Sequence, residues 1–416
     1  MSRRVLICPD KFKGTLTAPQ AAEAIAAGWR RAWPQDTCDL LPISDGGDGF
    51  GELLGRHWHA EEHPVETVDA AHRPVRASWW WVPARRTAII ESARVIGLAM
   101  LPPGQFHPFE LDTFGLAAVL RAAAAKRPAA TLIGIGGSAT NDAGFGLARG
   151  LGWQFLDEAG QPIDRWPDLV RLRRIIGFSI PGFLRNVCIA VDVQNRLLGP
   201  RGATRIYGPQ KGIRPEDVRP AERALRRLAE VLERSGDAEG ATASRAGLPS
   251  RAGQVPPLTP PRSPSGGEGR GEGVPRGTSN AFSSRPGAGA AGGLGFGLSV
   301  FVGGVLAPGF DLFAQETQFA ERVRAASVVV TGEGAIDETT VRMGKGVGQV
   351  ARLCRRARKP CLGLAGSLNL AAGGAGAFTS LKGIVPELAS LEAAKAKAAR
   401  WLGELAFRVA SAWPPP

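Results

Sequence analysis

The chain has 416 residues, 44% of them hydrophobic, and a mean hydropathy of −0.06, which suits a globular protein of two ordinary domains. No apolar run approaches the roughly 20 residues that span a bilayer, so no membrane partner is expected. The net charge of +13 comes mainly from arginines scattered along the chain, without a basic helix or interleaved aromatics, which argues against nucleic acid and suits anionic small molecules.

The basic start, Met1 to Asp10, has an apolar stretch of four residues, too short for a signal-peptide core, so a cytoplasmic protein is expected. Val5–Cys8 reads as a first strand and Pro9–Gly14 as the loop after it. A helix runs from Thr17 to about Ala32, with Pro19 in its first turn and Gln20 at the capping-box position. Cys38–Pro42 is a second strand that ends in the loop Ser44–Gly49, and a helix continues to about His57. From about Glu61 the period changes: Val65–Val68, Val75–Val82 and Thr87–Glu91 read as an antiparallel meander, with Trp79–Trp81 in a half-buried strand. The five cysteines, at 8, 38, 188, 354 and 361, are widely spaced and form no CxxC pair, so neither a disulfide framework nor a zinc site is expected.

Next come a helix at 113–125, the strand Thr131–Ile135, a glycine loop, a helix from about Ala139, the strand Val187–Val191 and a charged helix at 215–234. Residues 238–285 are rich in Pro, Gly and Ser and cannot bury enough apolar surface to offset their ordering entropy. They read as a disordered low-complexity insertion without a catalytic role. After a glycine-rich stretch from Pro286 the chain returns to βα units, with strands at Ser327–Thr331 and Cys361–Ala365, a helix from about Gly346 and another near 391–412. The expected fold is α/β with two α/β domains. A Rossmann-like domain is built from residues 1–60 and 286–416, and a second, mixed-sheet domain, 61–237, is inserted into it.

The richest loop is Gly134–Gly144, which holds Gly136, Gly137, Ser138, Asn141 and Asp142. It follows a strand and is expected to open a helix, whose free N–H groups could hold an anion. No G-x-x-x-x-G-K-[ST] motif occurs, nor the H-R-D and D-F-G pair, so P-loop and protein-kinase scaffolds are excluded. Phosphoryl transfer would still need donors around phosphate, a cation and a carboxylate near the attacking hydroxyl. Such groups stand at strand ends: Asp10 with Lys11 and Lys13, Asp45 with Asp48, Asp192 with Asn195, and Glu333 with Asp337 after a strand ending at Val330.

Taken together, Pro9-Asp10-Lys11-Phe12-Lys13-Gly14, Ser44-Asp45-Gly46-Gly47-Asp48-Gly49 and the stretch Ile135–Asp142 resemble successive signatures of the bacterial glycerate kinases of the two-domain, non-P-loop type. So do Gly199–Gly202, Tyr207-Gly208-Pro209-Gln210-Lys211-Gly212, Gly287–Leu294 and Thr331–Gly334 with Ile336 and Asp337. The resemblance covers nearly the whole chain apart from the insertion. It implies transfer of a phosphoryl group from ATP to D-glycerate with Mg²⁺, in a cleft between the two domains.

The chain departs from that pattern at Lys11, at Gln194 (where a carboxylate is usual) and in the stretch 109–118. The alternative reading is therefore a catalytically weak relative that binds a nucleotide or hydroxy acid. On the kinase reading, Asp192 is the expected base for the glycerate hydroxyl, with Asp10, Asp45 and Asp337 as competitors. Asp45 and Asp337 are the candidates for holding Mg²⁺. Lys13, Asp48, Gly136, Gly137, Ser138, Asn141, Asp142, Asn195, Lys211, Glu333 and Asp337 are the expected substrate- and nucleotide-binding set. The oligomeric expectation is a monomer or homodimer.

Overall fold

The computed structural model describes residues 2–177, 184–239, 282–338, 340, 346–370 and 376–414. Residues 240–281 of the low-complexity segment lie outside the described residues. The chain forms two compact units, Met1–Asp45 with Phe313–Pro416, and Gly46–Leu312. Strands are numbered in chain order, β3–β10 belonging to the second unit.

In the first unit β1 (Arg4–Ile7), β2 (Thr37–Leu40), β11 (Val328–Asp337), β12 (Cys361–Asn369) and β13 (Ser380–Val385) form one parallel sheet in the order β13-β12-β11-β1-β2. β1 and the first half of β11 read as continuous apolar runs, as strands covered on both faces do; Val5, Leu6, Ile7, Val328, Val329 and Val330 are all buried. The helix Ala18–Ala32 starts as expected. Thr17 Oγ1 accepts from the Gln20 N–H and Gln20 Oε1 from the Thr17 N–H, which satisfies two end donors reciprocally. Two expectations need correction here. β11 does not stop near 331 but pairs with β12 as far as Asp337, so Glu333 and Asp337 lie on a strand rather than in a loop after it. The single C-terminal helix is two, Leu391–Ala396 and Ala398–Ser411, parted at Lys397.

The second unit is built on a mixed six-stranded sheet, β10-β9-β6-β5-β4-β3. Here β3 (Glu61–Val68), β4 (Pro74–Val82) and β5 (Thr87–Glu91) are antiparallel, as the meander predicts. β6 (Ala130–Gly134), β9 (Val187–Val191) and β10 (Val305–Pro308) then continue it in parallel. β7 (Gln154–Leu156) and β8 (Arg174–Ile176) form a separate antiparallel pair. All three tryptophans of β4 are buried, not half-buried, since both faces of the strand are covered. Trp79 and Trp81 enter a core with Val119 and Leu120, while Trp80 lies on the helix Phe50–His57. That helix shows bare backbone to the indole at Gly51 and Gly55, one turn apart, and a Cβ on either would strike the ring. This packing joins the helix Phe50–His57 to the second unit, which begins at Gly46.

The helix expected from about Ala139 begins only at Phe145. Ala143 and Gly144 adopt left-handed backbone angles, φ 52° and 77°, that no helix continues through. Among the described residues no helix is long and apolar enough to cross a membrane.

Candidate functional site

Each unit gathers its own set of the expected residues. In the first, Asp10 follows β1, Asp45 lies just beyond β2, and Glu333 and Asp337 stand on the far half of β11. The backbone holds this end rigidly: the Asp10 N–H donates to the Gly332 carbonyl at 2.8 Å, which prolongs the β1–β11 pairing past Ile7. Asp10 Oδ1 accepts from the Lys11 N–H at 2.7 Å, and Asp337 Oδ1 accepts from the N–H and hydroxyl of Thr340 at 2.8 and 3.2 Å. Lys13 is exposed on the turn that follows.

Glu333 is the perturbed member of this set. Burial first, then the charges of Asp10, Asp45 and Asp337, push its carboxyl up to about 8 against a hydrogen bond from Thr340. Its Oε1 is buried without a hydrogen-bond partner. Crowded carboxylates with an orphaned oxygen are the environment a cation would relieve. Among the described residues, however, no group of three or more His, Cys, Asp or Glu closes into a ready metal-ligand set.

In the second unit the structure brings together two glycine loops that lie about 90 residues apart in sequence. The Gly136 N–H donates to the Gly46 carbonyl at 3.1 Å, and a Cβ on Gly136 would run into Gly47. Gly137, at φ 81°, approaches the exposed Asp48 so closely that a side chain there would overlap the carboxylate. Glu91, the charged end of an otherwise apolar β5, accepts from the N–H groups of Gly49 and Gly51 at 2.9 and 3.0 Å. It thereby fills the start of the helix Phe50–His57 with a negative charge.

Beyond Gly137 the loop turns inward. Ser138 Oγ meets Thr140 Oγ1 at 3.1 Å and accepts from the Thr140 N–H at 3.1 Å. Asn141 is fully buried; its Nδ2 donates to Thr204 Oγ1 at 3.0 Å, while its Oδ1 has no hydrogen-bond partner. Asp142 is also fully buried and is consumed by the fold. Its Oδ2 accepts from the Thr113 N–H and hydroxyl and from the Gly146 N–H, and its Oδ1 from the Gly144 N–H. The amides at the start of the helix Phe145–Leu151 are thus taken by Asp142 and Thr113, which corrects the expectation that they hold an anion.

Lys211 closes the loop from the other side. It is buried, and its Nζ donates to the Thr140 carbonyl at 2.6 Å. Burial draws its ammonium down to about 8, against the opposing pull of Asp142 and Asp192. Asp192, half-buried at the carboxyl end of β9, also raises the Tyr207 phenol, which burial and that charge together push up to about 12. The Tyr207 hydroxyl donates to Asn195 Oδ1 at 2.7 Å, and Asn195 Nδ2 donates to the Arg201 carbonyl at 2.7 Å. Asn195 therefore ties its turn to Tyr207. Tyr207 and Thr113 are additions to the expected set. Tyr207 carries a signal in the sequence, being the one tyrosine in the chain and lying in the same short run as Lys211. Thr113 carries none, since its role depends on a partner 29 residues away.

A parallel sheet with carboxylates and lysine at its strand ends, and a buried lysine with an aspartate at a second sheet, define an α/β protein with a cluster of charged groups in each unit. The model of the glycerate kinase family matches residues 5–414, and the chain belongs to that family. It is 34% identical over 368 residues to a glycerate kinase of Halalkalibacterium halodurans, a match covering 88% of this chain and 86% of that one. It is 31% identical over 415 residues to a glycerate kinase of Bacillus subtilis, covering 98% and 97%. A Salmonella typhimurium LT2 protein assigned as a glycerate kinase 2 has a crystal structure that superimposes with a TM-score of 0.75 at 28% identity, over 99% of this chain and 98% of that one.

Proposed function

We propose that this protein is a glycerate kinase that transfers the γ-phosphoryl group of ATP to a hydroxyl of D-glycerate with Mg²⁺. The observation that carries the reading is buried Lys211, which donates to the Thr140 carbonyl in the loop of Ser138 and Asn141 and feels the charge of Asp192. A desolvated ammonium beside a serine hydroxyl suits a small carboxylate or phosphate. A carboxylate at a strand end suits removal of a proton from an alcohol, a poor nucleophile at neutral pH.

On this reading Lys211 and Ser138 fix the anionic groups of the substrate. Asp192 accepts the hydroxyl proton as the oxygen attacks phosphorus, and Asn195 with Tyr207 keeps the turn after Asp192 in place. Asp10, Asp45, Glu333 and Asp337 fit a divalent cation, because the crowding that raises Glu333 and orphans its Oε1 is what a positive charge offsets. When bound, Mg²⁺ supplies charge neutralisation at the phosphate oxygens. The experiment is a coupled assay of ADP release with D-glycerate as acceptor. Turnover that requires both substrates and Mg²⁺ supports the reading; ADP binding without turnover would instead favour a weakly catalytic relative.

A further inference from the structure

The unit formed by Met1–Asp45 with Phe313–Pro416 holds a cavity of about 490 Å³, within the range of pockets that enclose small organic ligands. Its walls change character from end to end. At one end stand Asp10, Lys11, Lys13, Asp45 and Glu333, beyond β1, beyond β2 and on β11. In the middle, Gly334, Gly366 and Ser367 keep the wall low; a Cβ on Gly366 would overlap the Gly334 carbonyl. At the other end Ile384 of β13 joins Leu391, Ala394 and Ala398 from the two C-terminal helices in a mainly apolar wall, with Lys395 beside them.

The sheet topology says which end takes which part of a ligand. From β1 the chain moves outward to β2, then returns to β11 on the opposite side of β1, so the order reverses between β1 and β11. In open parallel sheets ligands collect beyond the carboxyl ends of strands at such a reversal. The charged end of this cavity is at that point, and the apolar end lies toward β13. A fitting ligand is therefore charged at one end, where two lysines stand among three carboxylates, and flat and apolar at the other. D-glycerate has no apolar end. A nucleoside triphosphate has both.

We propose that this cavity receives the nucleoside of ATP, its base against Ile384, Leu391, Ala394 and Ala398 and its phosphates turned toward Lys13. The proposal rests on the phosphotransfer reading above. The two alanines make the slot: side chains this small leave the thickness of a ring free, and a bulky one at Ala398 fills it from the apolar end. Leu391, 46% exposed, supplies an edge that a charged side chain would make hostile to a base.

The test is calorimetric titration of the full chain and of Ala398→Trp and Leu391→Glu with ADP, AMP and inorganic tripolyphosphate. Both variants should lose about tenfold or more in ADP and AMP affinity while tripolyphosphate binds within about twofold of the parent. Thermal melts confirm that the variants are folded, and Leu391→Glu, at an exposed position, decides alone if Ala398→Trp is not. Unchanged ADP affinity in a folded variant overturns the proposal, as does a parent that binds no ADP. Equal loss of tripolyphosphate also overturns it, since contacts to the base would then be irrelevant. Glycerate turnover is scored separately. A parent that binds ADP in this way yet phosphorylates no glycerate sinks the kinase reading and leaves the nucleoside cavity standing.

Discussion

Lys211 Nζ donates to the Thr140 carbonyl at 2.6 Å, so a buried cation from the Tyr207–Gly212 turn braces the loop Gly134–Gly144. Its proton affinity, about 8 in the fold against an ordinary 10.5, is depressed, so between those values the unfolded chain binds more protons and stability rises with pH. The melting temperature of the parent relative to Lys211→Met is expected to be flat below pH 8 and to climb between 8 and 10.5. A difference that stays flat throughout would show that the amine is not held as a desolvated cation. In kinetics, kcat/KM is expected to fall as pH passes about 8, and Lys211→Met to lose that dependence together with affinity for one substrate.

Asp192→Asn keeps the size of the side chain but cannot take up a proton. It is expected to lower kcat by about two orders of magnitude or more, with ADP affinity unchanged by calorimetry. Turnover within a few-fold of the parent would move the role of base to Asp45 or Asp10.

Thr113 links two buried groups, its hydroxyl donating to Asp142 Oδ2 at 2.7 Å and accepting from the Leu147 N–H at 2.8 Å. Thr113→Val preserves shape, strands the buried Leu147 N–H and removes one of the donors to Asp142, so denaturant unfolding should show a loss of about 1–3 kcal/mol. Thr113→Ser, which keeps the hydroxyl, is expected to retain most of the stability. A loss in Thr113→Ser as large as in Thr113→Val would show that the hydroxyl's hydrogen bonds are not what the position contributes.

Gly51→Ala tests the seat of Trp80. In an exposed helix this change gains up to ~1 kcal/mol, but here the new methyl meets the indole and an overall loss of about 1–3 kcal/mol is expected. Combining it with Trp80→Leu should recover part of that loss, and strict additivity of the two substitutions would rule out the contact.

Local chemistry makes part of this protein legible from the order of its residues. Thr17, Pro19 and Gln20 mark a helix start within four residues, because a capping box needs only its own backbone. The apolar runs at Val5 and Val328 read as strands, since a parallel sheet buried on both faces requires unbroken hydrophobes. Glycine loops at strand ends point to anion chemistry, and their order along the chain points to the family. Where an element ends is less legible. The TGEG stretch looks like a loop, yet β12 pairs with it as far as Asp337 and turns it into strand.

The kind of elements, the excluded scaffolds and the list of chemically able side chains all follow from the sequence, because each depends on neighbours a few residues away. How those side chains are used follows only from the folded chain. Asp142 looks like a ligand-binding carboxylate and is instead spent on Thr113, Gly144 and Gly146 in the core. Glu91 looks like the end of a strand and caps a helix some 40 residues earlier. The elevated Glu333 and the depressed Lys211 owe their proton affinities to burial and to charges from distant strands and loops. Desolvation and Coulomb energy depend on distance in space, and a carboxylate or ammonium acquires its working character only when the chain has folded around it.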